Sequence, residues 1–333
     1  LLDENRVFVA NALERLPNCA IPGVQALMRE AGVDLRRLDA KTISHTIGPR
    51  LNATGRLDAA TDALRVLESD DAAEVRAAVR RIEAANDERK RRMDELVEIA
   101  EARAQTEGLL DPSRVAVVMG DPSWHPGLLG LAAARLLDRV HKPVVLFGGD
   151  DDLLKASGRA PPGIDLHECM NDCAALLAKF GGHAAAAGGS MQPANLPAFT
   201  QAFESAVRTR MNGPVRPVAI RVDLSMPAHE AMKAIDELES LRPFGKDFPA
   251  PVIHCPRLRV RSASTLGATG DHLKVQAETE GAIGTTGLLL WRQGRRVAEF
   301  RAGRRFEVVG RPKRSTNPRY GDDFEVRDLR FVD

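Results

Sequence analysis

The residues whose types and spacing could carry chemistry fall into three short stretches, each mixing glycine with cationic or hydroxyl side chains. The richest is Lys179-Phe-Gly-Gly-His-Ala-Ala-Ala-Ala-Gly-Gly-Ser-Met191. Glycine tolerates positive φ and lets a bulky anion approach the main chain. Gly181 and Gly182 would therefore expose backbone N–H groups, with His183 presented at the bend of a loop. An imidazole and free N–H groups are donors that a phosphate can use. The structural alternative is a tight turn with a core histidine and close-packed alanines. The second stretch, Leu154-Lys-Ala-Ser-Gly-Arg159, reads as a strand. Its end brings together the Ser157 hydroxyl, the Gly158 N–H and the Arg159 guanidinium, which is again phosphate chemistry. In the third, Ile47-Gly-Pro-Arg-Leu-Asn-Ala-Thr-Gly-Arg-Leu-Asp58, Arg50, Asn52 and Arg56 lie on a segment punctuated by Gly48-Pro49 and Gly55. Its guanidinium groups could fork onto phosphate oxygens, or could brace the fold by pairing with Asp58 and Asp62.

Metal chemistry has less to stand on. Cys19, Cys169, Cys173 and Cys255 are scattered, and Cys169 and Cys173, one helical turn apart near His167, have no second Cys/His pair to complete four ligands. Buried thiols are the expectation, and no metal site is assigned. Asp150-Asp-Asp152 reads as a solvated loop, and His125 as a packing residue beside Trp124.

These residues need elements to hold them. At 333 residues the chain can bury two or three cores, and no apolar run approaches the ~20 residues that span a bilayer. Residues 5–47 read as short helices with turns at Pro17-Asn18 and Pro22-Gly23. Asp70 to Glu107 contains no Gly or Pro and spaces its apolar residues by three and four, which predicts one long amphipathic helix, or two nearly collinear ones. From Arg114 a strand (115–119), a helix (128–140) and strands at 143–147 and 154–159 make an α/β unit. Helices are expected over 165–179 and 196–211, and Gly213-Pro214 marks a boundary. Beyond it, alternating segments at 218–222, 257–261, 272–276, 286–290, 305–309 and 323–327, with one helix near 227–241, predict a small antiparallel barrel of the oligonucleotide-binding type.

The net charge of +1 hides an asymmetry: residues 1–213 carry a net of −4 and residues 214–333 a net of +5. Arg292 to Arg319 holds ten Lys/Arg against Glu299 and Glu307. Arg292, Arg295, Arg296, Arg304, Arg311, Lys313 and Arg314 would form a nucleic-acid-binding stripe, since clustered cations suit a polyanion; a solvated basic face is the alternative. Trp291, Phe300, Phe306, Tyr320 and Phe324 are the candidate stacking platforms.

Together these stretches resemble the RecJ-type single-strand-specific 5′ exonucleases of the DHH phosphoesterase superfamily. The resemblance rests on Gly48-Pro-Arg-Leu-Asn-Ala-Thr-Gly-Arg56, Trp124-His-Pro-Gly127, Ser157-Gly-Arg159, Phe180-Gly-Gly-His-Ala-Ala-Ala-Ala-Gly188 and Leu241-Arg-Pro-Phe-Gly245 followed by Phe248-Pro-Ala-Pro-Val252. It implies a multidomain α/β plus β protein. Residues 1–65 would be the remnant of a DHH catalytic domain and 66–112 the connecting helix. Residues 113–212 would be the DHH-associated (DHHA1) domain and 214–333 the OB-type barrel. It further implies single-stranded DNA with a 5′ end as substrate, Mn²⁺ or Mg²⁺ as cofactor, a role in DNA repair and recombination alongside other repair proteins, a monomer, and a cytoplasmic location. By that resemblance Ser157, Gly158 and Arg159 hold the DNA 5′ end, and Arg50, Asn52 and Arg56 line a cleft. Gly181, Gly182 and His183 face the scissile phosphate, with His183 as the catalytic candidate. The Asp-His-His motif that names the superfamily is absent from this sequence, and the start at Leu1 reads as the interior of a longer chain. The expectation is a substrate-gripping part that does not hydrolyse DNA by itself. Two other readings stay open: a stand-alone single-stranded nucleic-acid-binding protein, and another DHH-superfamily phosphodiesterase acting on short oligonucleotides.

Overall fold

A computed structural model describes residues 1–57, 60–150, 152–211, 219–267, 269–315 and 321–332, with only the backbone of Arg56 and Leu57. By internal packing the chain separates into two units. One gathers Leu1–Leu16, Leu38–Ala40 and Ala219–Asp333; the other gathers Pro17–Arg37 and Lys41–Val218. Helix α1 (Asp3–Arg15) belongs to the first, where the Arg6 guanidinium donates to Leu241 O at 2.7 Å and lies 3.7 Å over the Phe248 ring.

In the second unit, helices α2 (Pro22–Glu30), α3 (Gly48–Leu57) and α4 (Thr61–Glu68) pack on the first half of α5 (Ala72–Thr106). Two segments expected as turns are helical. Pro22 opens α2, where its missing N–H costs nothing because first-turn donors have no intrahelical partner. Pro49 falls where a wide i→i+5 stretch (Thr42–Ile47) passes into α3, so the lost donor sits at a junction. The long helix runs 35 residues as one element. Asp71 caps it by accepting from the Ala73 and Glu74 N–H groups, worth about 1 kcal/mol. Gly108, at φ +67°, follows its end.

The second half of α5 carries Met93, Leu96, Val97, Ala100 and Ala104 into the core of a five-stranded sheet. Strand β1 (Val117–Gly120), helix α6 (Pro126–Val140), β2 (Val144–Gly149), β3 (Leu154–Arg159), α7 (Leu166–Asn171), β4 (Lys179–His183), β5 (Ala186–Met191) and α8 (Leu196–Arg210) follow. The strand order is β1-β2-β3-β5-β4, parallel at β1–β2 and antiparallel elsewhere. Helices α5 and α6 share one core with Val117, Met119, Val144 and Leu146. Residues of α7 and α8 share the other with Val145, Phe147, Leu154, Ala187 and Met191. The helix expected over 165–179 is shorter: α7 ends at Asn171, a 3₁₀ turn spans Ala174–Leu176, and Lys179 already starts a strand.

The first unit adds β6 (Leu224–Ser225), α9 (Ala228–Lys233), α10 (Ile235–Ser240), β7 (Ile253–Leu266), β8 (His272–Thr279), β9 (Thr285–Leu290), β10 (Arg305–Lys313) and β11 (Asp323–Phe331). Burial alternates residue by residue along β8 and β10, as period-2 side chains on a closed sheet require. Because β10 pairs with both β11 and β7, five strands close into a barrel. Four seams are antiparallel and the fifth, β9 with β11, is parallel. The first short strand lies at Leu224–Ser225; of the segment expected at 218–222, residues 219–222 are not a strand and Val218 lies outside the described residues, and the single helix expected near 227–241 is two. Gly213-Pro214 lies outside the described residues.

Candidate phosphate-binding face

Side chains alternate between the two faces of a strand, and residues directly paired across strands share a face. Applied to β3, β5 and β4, that rule sorts the site. Arg159, Ala186 and His183 form one cross-strand row, Ser157, Gly188 and Gly181 the next, and Lys155, Ser190 and Lys179 a third. All three rows share a face with Val144 and Leu146, the side that α6 covers. The intervening residues, Ala156, Gly158, Ala187 and Phe180, face the α7–α8 core.

The stretch around His183 is therefore a β-hairpin and not a loop. Ala184 and Ala185 turn it, and His183 is the exposed last residue of β4. Gly182 has φ +149°, and a Cβ there would collide with the Ala187 backbone and with Ala186 O, so only glycine lets the two strands approach. Gly181 and Gly188 leave the row beside Ser157 without side chains. The floor between Ser157 and β4 is bare backbone, which an anion can approach closely.

Helix α6 bounds this floor. A Cβ on Gly130 would lie 2.9 Å from both Arg159 Nη2 and Ser157 Oγ, so the helix presents a flat glycine where guanidinium and hydroxyl lie against it. Arg159 Nη1 donates to Gly158 O at 2.7 Å and to Ser157 Oγ at 3.4 Å. This orients the planar fork with its neighbour hydroxyl on one face. Ahead of α6, His125 serves as N-cap, its Nδ1 accepting from the Gly127 N–H at 3.1 Å. That is a more specific role than packing beside Trp124.

The third predicted stretch behaves differently. Arg50 Nε donates to Glu83 at 2.6 Å and its Nη1 to Thr46 O at 2.9 Å, both residues half-buried. The brace is real, but its carboxylate is Glu83 of α5. Asp62 pairs instead with Arg65 and Arg81, and hydrogen bonding from Arg81 leads the effects that hold its carboxyl below the usual range. Asn52 is exposed on α3. The Arg56 side chain and Asp58 lie outside the described residues.

In the barrel unit much of the basic stripe is already paired. Arg296 forms a fork with Glu299, and Arg314 contacts Asp236 and Asp322. Arg304 stacks 3.5 Å over Phe331 and donates to Glu299 O. Arg311, Lys313 and Trp291 Nε1 all donate to Glu325. Burial works to raise the Glu325 carboxyl, but these three donors outweigh it and hold it at about 2. Arg292 and Arg295 are exposed with no ion pair among the described residues. Of the aromatic platforms, Phe300, Phe306 and Phe324 are core residues. Trp291 is 44% exposed, edge-on to His272, and Tyr320 and Arg319 lie outside the described residues.

The donor set on the sheet face is cationic and hydroxylic, suited to phosphate oxygens and not to a divalent cation. Among the described residues no group of three or more His, Cys, Asp or Glu is placed to hold a metal. Cys169 and Cys173 are buried, and desolvation pushes both thiols up to about 11. No helix of the described residues is long and apolar enough to cross a membrane.

Lys155, Lys179, Gly130 and Gly188 were not singled out from sequence. The signal existed in two stretches: Lys155-x-Ser157-x-Arg159 and Lys179-x-Gly181-x-His183 are i, i+2 patterns that strand parity places on one face.

Two family models match the chain, the DHHA1 domain over residues 113–209 and the RecJ OB domain over residues 222–318. The single-stranded-DNA-specific exonuclease RecJ of Bacillus subtilis is 30% identical over 284 residues, covering 84% of this chain and 36% of that protein. Its Escherichia coli counterpart is 30% identical over 286 residues, covering 83% and 49%. The crystal structure of RecJ from Thermus thermophilus in complex with Mg²⁺ superposes with a TM-score of 0.80 at 29% identity, over 99% of this chain and 49% of that one; a Mn²⁺ complex of the same protein scores equally. The chain spans half or less of the length of these relatives.

Proposed function

Because the chain belongs to the RecJ family, we propose that it is the part of a single-strand-specific 5′ exonuclease that grips the 5′ end of DNA. The observation that carries this reading is the cross-strand placement of Ser157, Arg159 and His183 on one face, with glycine floor between them. Arg159 offers a planar fork to the terminal phosphate, Ser157 a hydroxyl, and the Gly181/Gly188 floor room for the group to descend. His183, one row along on β4, donates to the phosphate being cleaved, a charge that builds as the bond breaks. Asn52 and the Arg50 segment line the approach, Arg50 through its fixed helix and not through a free guanidinium. The barrel holds the trailing strand through Arg292 and Arg295 with Trp291 as its stacking surface, so affinity for long strands falls as salt rises.

The four-part division into residues 1–65, 66–112, 113–212 and 214–333 stands as part of this proposal. So does a monomer acting with repair proteins in DNA repair and recombination in the cytoplasm. Divalent metal ions supply bond cleavage in two-metal nucleases by activating water and stabilising the leaving oxygen. The described residues do not fit such a centre. The test is binding of a 5′-phosphorylated single-stranded oligonucleotide against its 5′-hydroxyl twin, with and without Mn²⁺. Preference for the phosphate, its loss in Arg159→Ala, and no cleavage are expected. Equal binding of the two oligonucleotides refutes end recognition. Mn²⁺-dependent cleavage refutes the assignment of this chain as a gripping part alone.

A further inference from the structure

The barrel carries a second cluster of cations, to which the end-gripping reading gives no role. In cyclic order its five strands run β7-β8-β9-β11-β10, so the β7–β10 seam lies across the barrel from β9, which leads to Trp291 and Arg292. Strand β7 contains two bulges, and each presents an arginine. Pro256 and Arg257 together oppose the single residue Glu307 of β10, and Arg261 is the extra residue where β7 slips against β8. Between the bulges Arg259 stands directly opposite Arg305. Arg301 begins the turn whose Gly303 and Arg304 bond to Val260. All five arginines are exposed. Like charges directly opposite on neighbouring strands destabilise a sheet unless an anion lies between them. Arg259 and Arg305 share one carboxylate, Glu280, at 3.5 and 3.2 Å, and Arg261 lies 3.5 Å from Glu278. Arg257 and Arg301 have no ion pair among the described residues. Arg257 also sits at φ +56°, a left-handed backbone that residues with side chains seldom adopt. Bulges re-aim side chains, and both of these turn a guanidinium outward.

We propose that the β7–β10 seam is a docking surface for the sugar–phosphate backbone of double-stranded DNA, separate from the single-strand path. From Arg257 to Arg261 the strand covers about 13 Å, the rise of about four base pairs. Guanidinium forks match phosphate oxygens. The absence of open rings selects a duplex over a single strand. A single strand exposes its bases and is held by aromatic side chains on which they stack. On this side of the barrel Phe300 and Phe306 are buried, and Arg304 covers the Phe331 ring at 3.5 Å. A duplex keeps its bases stacked inside and offers phosphates to a partner that reads no sequence, which suits cations without platforms. One barrel can then hold a single strand along the Trp291 side and a duplex along the other. Neither Arg159 nor His183 takes part, so end recognition and duplex docking stand or fall separately.

The experiment is fluorescence-anisotropy titration of the whole chain, over a series of salt concentrations, with a ligated dumbbell duplex and with 5′-hydroxyl oligothymidylate. The dumbbell has no free end for the β3–β5–β4 face to hold. Wild type, Arg259→Ala/Arg261→Ala and Arg259→Lys/Arg261→Lys are compared. Removing two phosphate contacts is expected to lower the slope of log affinity against log salt on the dumbbell by about 1.8. Dumbbell binding is expected to weaken about tenfold, the scale of two exposed charged contacts, while oligothymidylate binding stays unchanged. The lysine variant keeps the wild-type slope, because the number of charges is the same. Both positions are exposed, so an unchanged thermal melt verifies that each variant is folded. A wild-type chain with no salt-dependent affinity for the dumbbell overturns the proposal, as does an alanine variant that binds it like wild type. Equal losses on dumbbell and oligothymidylate also overturn it, by making the seam part of the single-strand path. A lysine variant that loses as much slope as the alanine variant excludes phosphate contacts at these positions. A wild-type chain that prefers polyglutamate to the dumbbell at equal charge assigns the seam to an acidic polypeptide instead.

Discussion

Replacing Gly130 by alanine sets stability against ligand binding, and the structure gives both signs. Gly130 lies inside α6, and glycine within a helix is less favourable than alanine by about 1 kcal/mol. The added methyl would meet Arg159 Nη2 and Ser157 Oγ, each at 2.9 Å, and no backbone atom closer. Both are ends of side chains that can swing by a few tenths of an ångström, so the helix gain survives and stability changes by less than about 1 kcal/mol. The same displacement pushes the guanidinium off the bare floor beside Gly188 and Gly181, where its fork would meet a phosphate. Losing one well-placed charge-assisted contact costs about 1.5–3 kcal/mol, which is a ten- to hundredfold weakening. Urea unfolding and titration of a 5′-phosphorylated oligonucleotide on the same preparation read the two effects independently. Unchanged affinity with a normal melt would refute the idea that Arg159 and Ser157 act from this position against α6. A loss of several kcal/mol would refute the claim that these two side chains are free to give way.

Further expectations concern the frame around the face. Gly182→Ala should destabilise the second unit by about 2–4 kcal/mol, because the methyl meets backbone at a φ that side chains avoid; a melt within 1 °C of wild type would contradict the hairpin geometry. The Glu325 carboxyl, held at about 2 against an ordinary 4.5, contributes stability that is present above about pH 4.5 and disappears as pH falls toward 2. Glu325→Gln should therefore cost about 2–3 kcal/mol at pH 7 and less than about 0.5 kcal/mol at pH 2, where the folded-state carboxyl is half protonated. A pH-independent difference in unfolding free energy would sink that assignment. Under native conditions a thiol reagent should modify Cys19 alone, since Cys169, Cys173 and Cys255 are buried with thiols pushed up to about 11, 11 and 12. Rapid reaction of a second thiol would show that one of those cores opens.

Legibility in the sequence tracked how much contrast each segment carries. The long helix could be read because thirty-odd residues without Gly or Pro repeat their apolar positions at three and four. The barrel strands could be read because Leu273, Val275 and Ala277 alternate with polar neighbours. The hairpin could not, because glycine and alanine carry neither periodic polarity nor bulk, so Lys179 to Met191 resembled a loop. With that misreading went the knowledge that Lys179 and His183 share a face with Lys155 and Arg159. Gly48-Pro49 misled for a different reason: a proline that spells a break inside a helix is harmless where two helical geometries meet. The partner of Arg50 was invisible because Glu83 lies 33 positions away on another helix, whereas sequence reasoning looked to acids next door. The basic stripe was visible as composition, but composition does not say which cations are already spent on Glu325 or Glu299.

Helix α5 joins two separately packed regions of one unit without an interruption, its first half against α2, α3 and α4 and its second against the sheet. Its length is therefore a phase constraint as much as a distance. One inserted residue would advance the far half by about 1.5 Å and rotate it by about 100°, turning Met93, Leu96 and Val97 away from the strands they cover. Only insertions near whole numbers of turns, such as about seven or eleven residues, would return both apolar stripes to their places. Among homologous chains the loops can vary freely in length, while this rod should change size in discrete steps or not at all.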